Sequence, residues 1–142
     1  AAGLRRLEIA RSGCVALPVS TLLPAIGQGA LAIETRDDAT RALFRALDHR
    51  PTADAVHAER AFLRRVGGSC RTPLAAYAIA DGDTLKLEAL IAAVDGSEIV
   101  RGERHGPASH GEAMGQSLAD ELLAQGGRRI LDQLSDEAGD GR

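Results

Sequence analysis

The residue best placed to do chemistry is the cysteine of RVGGSCRTP, residues 65–73, set behind two glycines and between arginines. Gly67 can take a positive φ and end a helix, and Gly68 keeps the backbone open where a bulky group must lie close. Thr72-Pro73 restricts the chain to an extended exit, which would fix where the Cys70 sulfur points. Arg64, Arg65 and Arg71 are near in sequence, and cationic neighbours favour the nucleophilic thiolate. The preceding helix C-terminus carries partial negative charge and disfavours it, so local sequence predicts no strong activation. A thiol can still add to a very electrophilic carbon. The alternative is a small residue in a helix-terminating loop, with no chemistry at all.

Other motifs carry less. GQG at residues 27–29 lacks a full glycine fingerprint and a following lysine, so as a local pattern it is a turn. Cys14 follows Gly13 in an apolar stretch and is expected to be structural. Two cysteines 56 positions apart make neither a disulfide framework nor a metal-ligand spacing, and His49, His57, His105 and His110 are scattered. No metal is expected. With 17 basic against 20 acidic residues and 2% aromatics, the chain has neither the electrostatic footprint nor the stacking platform of a nucleic-acid binder. No apolar run approaches the ~20 residues that span a bilayer, and the N-terminus lacks the charged, apolar, small-residue order of a signal peptide, so a cytosolic protein is expected. At 142 residues, 44% of them hydrophobic, the chain can build one core but not two full domains.

The elements that must hold Cys70 are the clearest in the sequence. Thr52 is a cap, Asp54 suits the first turn, and Ala55, Ala58, Phe62 and Val66 recur at helical spacing up to Gly67. Three strands are expected at residues 74–79, 84–93 and 98–103, separated by the hairpin sequences DGD and DGS. Leu85, Leu87, Ala89 and Ile91 share one face. Ser109 with Glu112 forms a capping box for a helix bearing Met114, Leu118 and Leu122, interrupted at Gly126-Gly127 and resuming at RRILDQL before an acidic, frayed tail. Helix, antiparallel three-stranded meander and helix make an α+β domain.

Residues 1–50 do not close a core. Leu4, Leu7 and Ile9 suit a short amphipathic helix ended by Gly13, and residues 30–35 read as a strand. Asp37 and Asp38 cap a helix over residues 39–47 with Leu43, Phe44 and Leu47 as its apolar stripe. A boundary falls near residues 49–51. The first residue is not methionine and the opening reads like the last turns of a helix, so a fragment is expected.

Three blocks, LPAIGQGALAIETR, AERAFLRRVGGSCRTPLAAYA and GSEIVRGERHG, together resemble the porphobilinogen deaminase (hydroxymethylbilane synthase) family, in the family's order and spacing. The likeness runs over nearly the whole chain. It implies a C-terminal portion: residues 1–50 as the end of the second α/β domain and the return strand and helix of the first, and residues 51–142 as the small α+β C-terminal domain. The family joins four porphobilinogen molecules into hydroxymethylbilane, an intermediate of haem and other tetrapyrroles, with release of ammonia.

The growing chain hangs from a dipyrromethane cofactor held by thioether to the cysteine that matches Cys70. Gly67, Gly68 and Ser69 accompany it, Gln28 matches a glutamine by the cofactor and substrate cleft, and Arg71 is added from local charge only. Many members have Gly-Gly-Cys where this chain has Gly-Gly-Ser-Cys, with the register of the cysteine unaffected. The aspartate that handles protons and most of the arginines that grip substrate carboxylates belong to the family's N-terminal half, so no catalytic residue is assigned in this chain. The isolated chain is expected to be inactive, and the full-length enzyme to be a monomer whose partners are porphobilinogen, the growing tetrapyrrole and its own N-terminal half. The alternative function is a small α+β ligand-binding or redox-sensing module with one reactive cysteine.

Overall fold

The structure is a computed structural model that describes residues 2–8, 13–67 and 72–139. Its elements run α1 (Ala2–Arg6), α2 (Ala39–Phe44) with a 3-10 turn (Arg45–Leu47), α3 (Arg50–Val66), β1 (Leu74–Asp81), β2 (Thr84–Ala92) and β3 (Ile99–Pro107). A 3-10 turn (Ala108–His110), α4 (Gly111–Leu122), a π turn (Leu123–Gly127) and α5 (Arg128–Gly139) complete the chain.

The meander forms as its alternation requires. β2 is central and pairs antiparallel with β1 and β3, with Ala78 opposite Leu87 and Leu87 opposite Arg104. Its inward residues Leu85, Leu87, Ala89 and Ile91 are buried, and they meet Phe62 and Val66 of α3 and Met114, Leu118 and Leu122 of α4 in one core. α3 lies against β1, α4 against β3, and the two helices pack on each other. This is an α+β architecture with one face of an open antiparallel sheet covered by helices.

Several expectations are corrected. α3 starts at Arg50, with His49 at the N-cap and Pro51 in the first turn, where its missing N–H costs nothing. Thr52 therefore lies inside the helix, its Oγ1 2.8 Å from His49 Nδ1. β3 continues to Pro107 because β2 offers a partner for its whole length and Pro107 ends an edge strand. The Ser109 capping box does not form, since residues 108–110 make a 3-10 turn and α4 starts at Gly111 without a side-chain cap. The break at Gly126 is present, with φ 125°, but α5 then runs to Gly139 where a frayed tail was expected. α1 ends at Arg6 in a turn at residues 7–8, well before Gly13, and Ile9 lies outside the described residues.

The first fifty residues contain the largest departure. Residues 30–36 take no regular secondary structure and pair with no strand among the described residues, and Leu31 is 96% exposed. A strand needs a neighbour to satisfy its backbone, and the sheet of this chain ends at β1 and β3. α2 forms as expected, the Asp38 carboxylate accepting from Thr40 N–H at 2.8 Å, yet Leu43 and Leu47 of its stripe are exposed. Leu23 is buried and Ile26 packs against the main core, so this segment is tied to the sheet-and-helix body at residues 23–27.

The solvent face of the sheet carries its own electrostatics. Glu88 stands directly opposite Glu103, an arrangement that is unfavourable by itself. Lys86 Nζ lies 2.8 Å from Glu88 and 3.1 Å from Glu103, and Arg101 Nη2 lies 2.8 Å from Glu88. Lys86 first and Arg101 second hold the Glu88 carboxyl below its ordinary value of 4.5. A depressed carboxyl contributes stability that is complete above its unfolded pKa and is lost as pH falls through the folded one. Glu88→Gln is thus expected to be less stable than the parent at pH 7, with the gap closing as acid takes the pH through the folded-state pKa of Glu88. Urea unfolding at pH 7 and in acid measures this, and an equal gap at the two would contradict it.

Candidate functional site

α3 ends where the sequence places its stop. Gly67 takes φ 77°, ψ 23°, and its N–H donates to Leu63 O at 3.1 Å. Gly68, Ser69, Cys70 and Arg71 lie outside the described residues. The chain is fixed again directly after them, since Ala92 N–H donates to Pro73 O at 3.0 Å and extends the β1–β2 ladder back to Pro73. The cysteine segment is thus spanned by two firm ends, a helix terminus and a strand start.

The arginines expected beside the sulfur have other partners. Arg65 makes a two-pronged pair with Asp120 of α4 at 2.7 and 3.1 Å, and Arg64 Nη2 lies 3.8 Å from Glu112. Those charges brace α3 against α4, and their effect on a thiol is correspondingly offset. Cys14 is exposed, so it is not a packing residue as expected from its apolar neighbours. Among the described residues no group of His, Cys, Asp and Glu could hold a metal ion.

GQG is a double turn. Gln28 N–H donates to Ala25 O and Ala30 N–H to Gly27 O, with Gly27 at φ 71° and Gly29 at φ 86°. Gln28 is exposed at its apex. The turn is held from below by a residue that sequence reasoning missed. Glu59 of α3 is 5% exposed; its Oε2 accepts from Gly27 N–H at 2.7 Å and its Oε1 from Ala78 N–H of β1 at 2.8 Å. Burial pushes its carboxyl above the ordinary 4.5, while the N–H groups of Gly27 and then Ala78 pull it back. The available signal was its place on the apolar stripe, since Ala55, Glu59, Phe62 and Val66 follow one another at spacings of four, three and four.

Two clefts flank this joint. One of about 350 Å³ lies among residues 27–30, the first half of α3 and residues 77–80 of β1. A larger one of about 860 Å³ lies among residues 30–33, α2 and α3, with Arg41, Phe44, Val56 and Arg60 on its walls. A Cβ built on Gly27, Gly29 or Gly67 would meet nothing within 4 Å, so space is open beside both the turn and the helix end. Glu59 and Gly67 are eight residues apart on α3, a rise of about 12 Å. The structure therefore brings Gln28 and the start of the cysteine segment onto one helix.

Two family models match the sequence. Residues 53–124, just over half of the chain, match porphobilinogen deaminase, C-terminal domain, and residues 1–43 match porphobilinogen deaminase, dipyromethane cofactor binding domain.

Proposed function

Because this chain belongs to the porphobilinogen deaminase family, we propose that it is the C-terminal portion of a longer hydroxymethylbilane synthase and that Cys70 is the thioether anchor of its cofactor. The family's enzymes link four porphobilinogen molecules into hydroxymethylbilane with release of ammonia, on a dipyrromethane cofactor. This sets aside the redox-sensor alternative. The observation that carries the assignment is the order of the two matched regions, with the cysteine segment inside the second and between two fixed ends. In this reading residues 1–50 complete larger domains and residues 51–142 form the C-terminal domain. The exposed stripe of α2 and the unpaired stretch at residues 30–36 support it, since both are surfaces that another part of the protein would cover.

The residues present fit the cofactor. A soft sulfur forms a carbon–sulfur bond that reductants do not break, and the open space beside Gly67, Gly27 and Gly29 leaves room for bulky rings. When bound, the cofactor supplies the pyrrole end on which the product grows. Gly67 ends α3, and the ladder bond at Pro73 fixes the chain again after the segment of Gly68, Ser69 and Cys70. Gln28 offers a carboxamide, both donor and acceptor, beside that space. Arg71 is proposed from its position alone, as a cation near the anchor.

Among the described residues no helix is long and apolar enough to cross a membrane. We propose that the whole enzyme is a cytoplasmic monomer and that its proton-handling acid and most of its substrate-gripping arginines lie outside this chain. The test is ammonia release from porphobilinogen by the full gene product and by the 142-residue chain alone. Release by the first and none by the second is expected, and no release by the full product would overturn the assignment.

A further inference from the structure

We propose that Glu59 is a positioning residue that locks the Gln28 turn to α3, the helix whose end leads into the cysteine segment, so that the crossing segment and the helix move as one body. This rests on the family reading of Gln28 and Cys70. Glu59 is the one buried charged or polar residue among those described, and no cation pairs with it there. A buried carboxylate is costly unless its oxygens are satisfied, so an apolar residue would serve better if packing were its only task. Its two oxygens are divided between segments 32 and 19 residues away in sequence, each held at full hydrogen-bond strength.

The geometry explains why an acid is needed. β1 is an edge strand, and its alternate N–H groups point away from β2. Glu59 takes the Ala78 N–H and, with its other oxygen, ties in the Gly27 N–H, joining the turn to the sheet edge where no strand-to-strand bond does so. Both partners are donors. Only an acceptor at each end of one side chain can bridge them, and an ionised carboxylate is the side chain that offers this. Glutamine accepts at one oxygen and presents N–H to the other donor, and aspartate is one methylene too short to reach both. In either variant one N–H is left without its partner.

The experiment uses the full gene product with Glu59→Gln, and Glu59→Asp beside it in case the first fails to fold. Ile130→Val is the control, since Ile130 is buried in the same core but stands on a different helix, α5. Two quantities are read: amide exchange of the peptide containing Gly27 and Gln28, and kcat/KM for porphobilinogen. Loss of one buried charge-assisted hydrogen bond predicts exchange faster by roughly tenfold or more and kcat/KM lower by a similar factor, with Ile130→Val near the parent in both. Unchanged exchange, or a fall in kcat/KM no larger than that of Ile130→Val at equal loss of melting temperature, would overturn the proposal. If the parent itself released no ammonia, the functional reading would fail, while the exchange measurement would still decide whether Glu59 locks the turn.

Discussion

Gly115→Ala is expected to destabilise the chain by about 3 kcal/mol, near the upper end of overpacking costs in a close-packed interior. A Cβ at this position would stand 2.3 Å from Ala58 O, 2.9 Å from Phe62 N and 3.0 Å from Ala61 Cβ. The first two are backbone atoms inside a helix turn and cannot swing away as a side-chain tip does. α3 and α4 would have to separate, opening the core between Phe62, Leu118 and Leu122, all fully buried. The melting temperature should fall by roughly 10 °C for a chain of this size. Gly111 on the same helix supplies the contrast, because its added Cβ would meet nothing closer than 3.4 Å. Gly111→Ala should stay within a few degrees of the parent, and thermal unfolding followed by circular dichroism separates the two. Equal melting temperatures for Gly115→Ala and the parent would show that the helices have slack the packing does not reveal. The separation should reach the site as well, since the Arg65–Asp120 pair spans the same interface shortly before the turn at Gly67.

Cys70→Ser carries the largest expected effect on function. A serine hydroxyl is neither soft nor appreciably ionised near neutrality, so it does not replace a thiol in capturing an electrophilic carbon. Without a covalent tether the growing product is free to diffuse, and the advantage of holding both reacting ends in one molecule is lost. That advantage is large enough to predict a fall in ammonia release of roughly a thousandfold or more in the full gene product. Thermal stability should change little, because serine is close to cysteine in size and the described core residues are left unchanged. A variant that kept more than a tenth of the parent's rate would contradict the anchor.

The elements that frame this site were legible because their signals are local. Ala55, Ala58, Phe62 and Val66 fix the face of α3, and Gly67 stops it, all within residues 55–67. The alternation of Leu85, Leu87, Ala89 and Ile91 fixes the face of β2 in the same way. The misreadings share a different cause. Residues 30–36 have the composition of a strand, but pairing is decided by a neighbour, and among the described residues no strand lies alongside them. Ser109 and Glu112 have capping spacing, but Ala108 N–H is taken by Asp83 O at the hairpin end, and the chain tightens into a 3-10 turn first.

Long-range polar partners were the least legible. Nothing near Arg65 says that Asp120, 55 residues on, will take its charge, and nothing in GQG says that an acid 32 residues away holds its backbone. Glu59 was the one such residue with a visible trace, a charge on the buried stripe of a helix. GQG by itself is a turn, and only the family resemblance marked Gln28 as a site residue. The space beside Gly27 and Gly29, and the shared attachment of Gln28 and the cysteine segment to α3, emerged from the fold.

The most direct test of the central claim is the intact mass, under denaturing and reducing conditions, of the full gene product and its Cys70→Ser variant, both taken from cells that make porphobilinogen. The account predicts an added mass of two linked pyrrole units on the first, resistant to reductant, and none on the second. An unmodified mass in both, or the same addition in both, would contradict the assignment of Cys70 as the anchor.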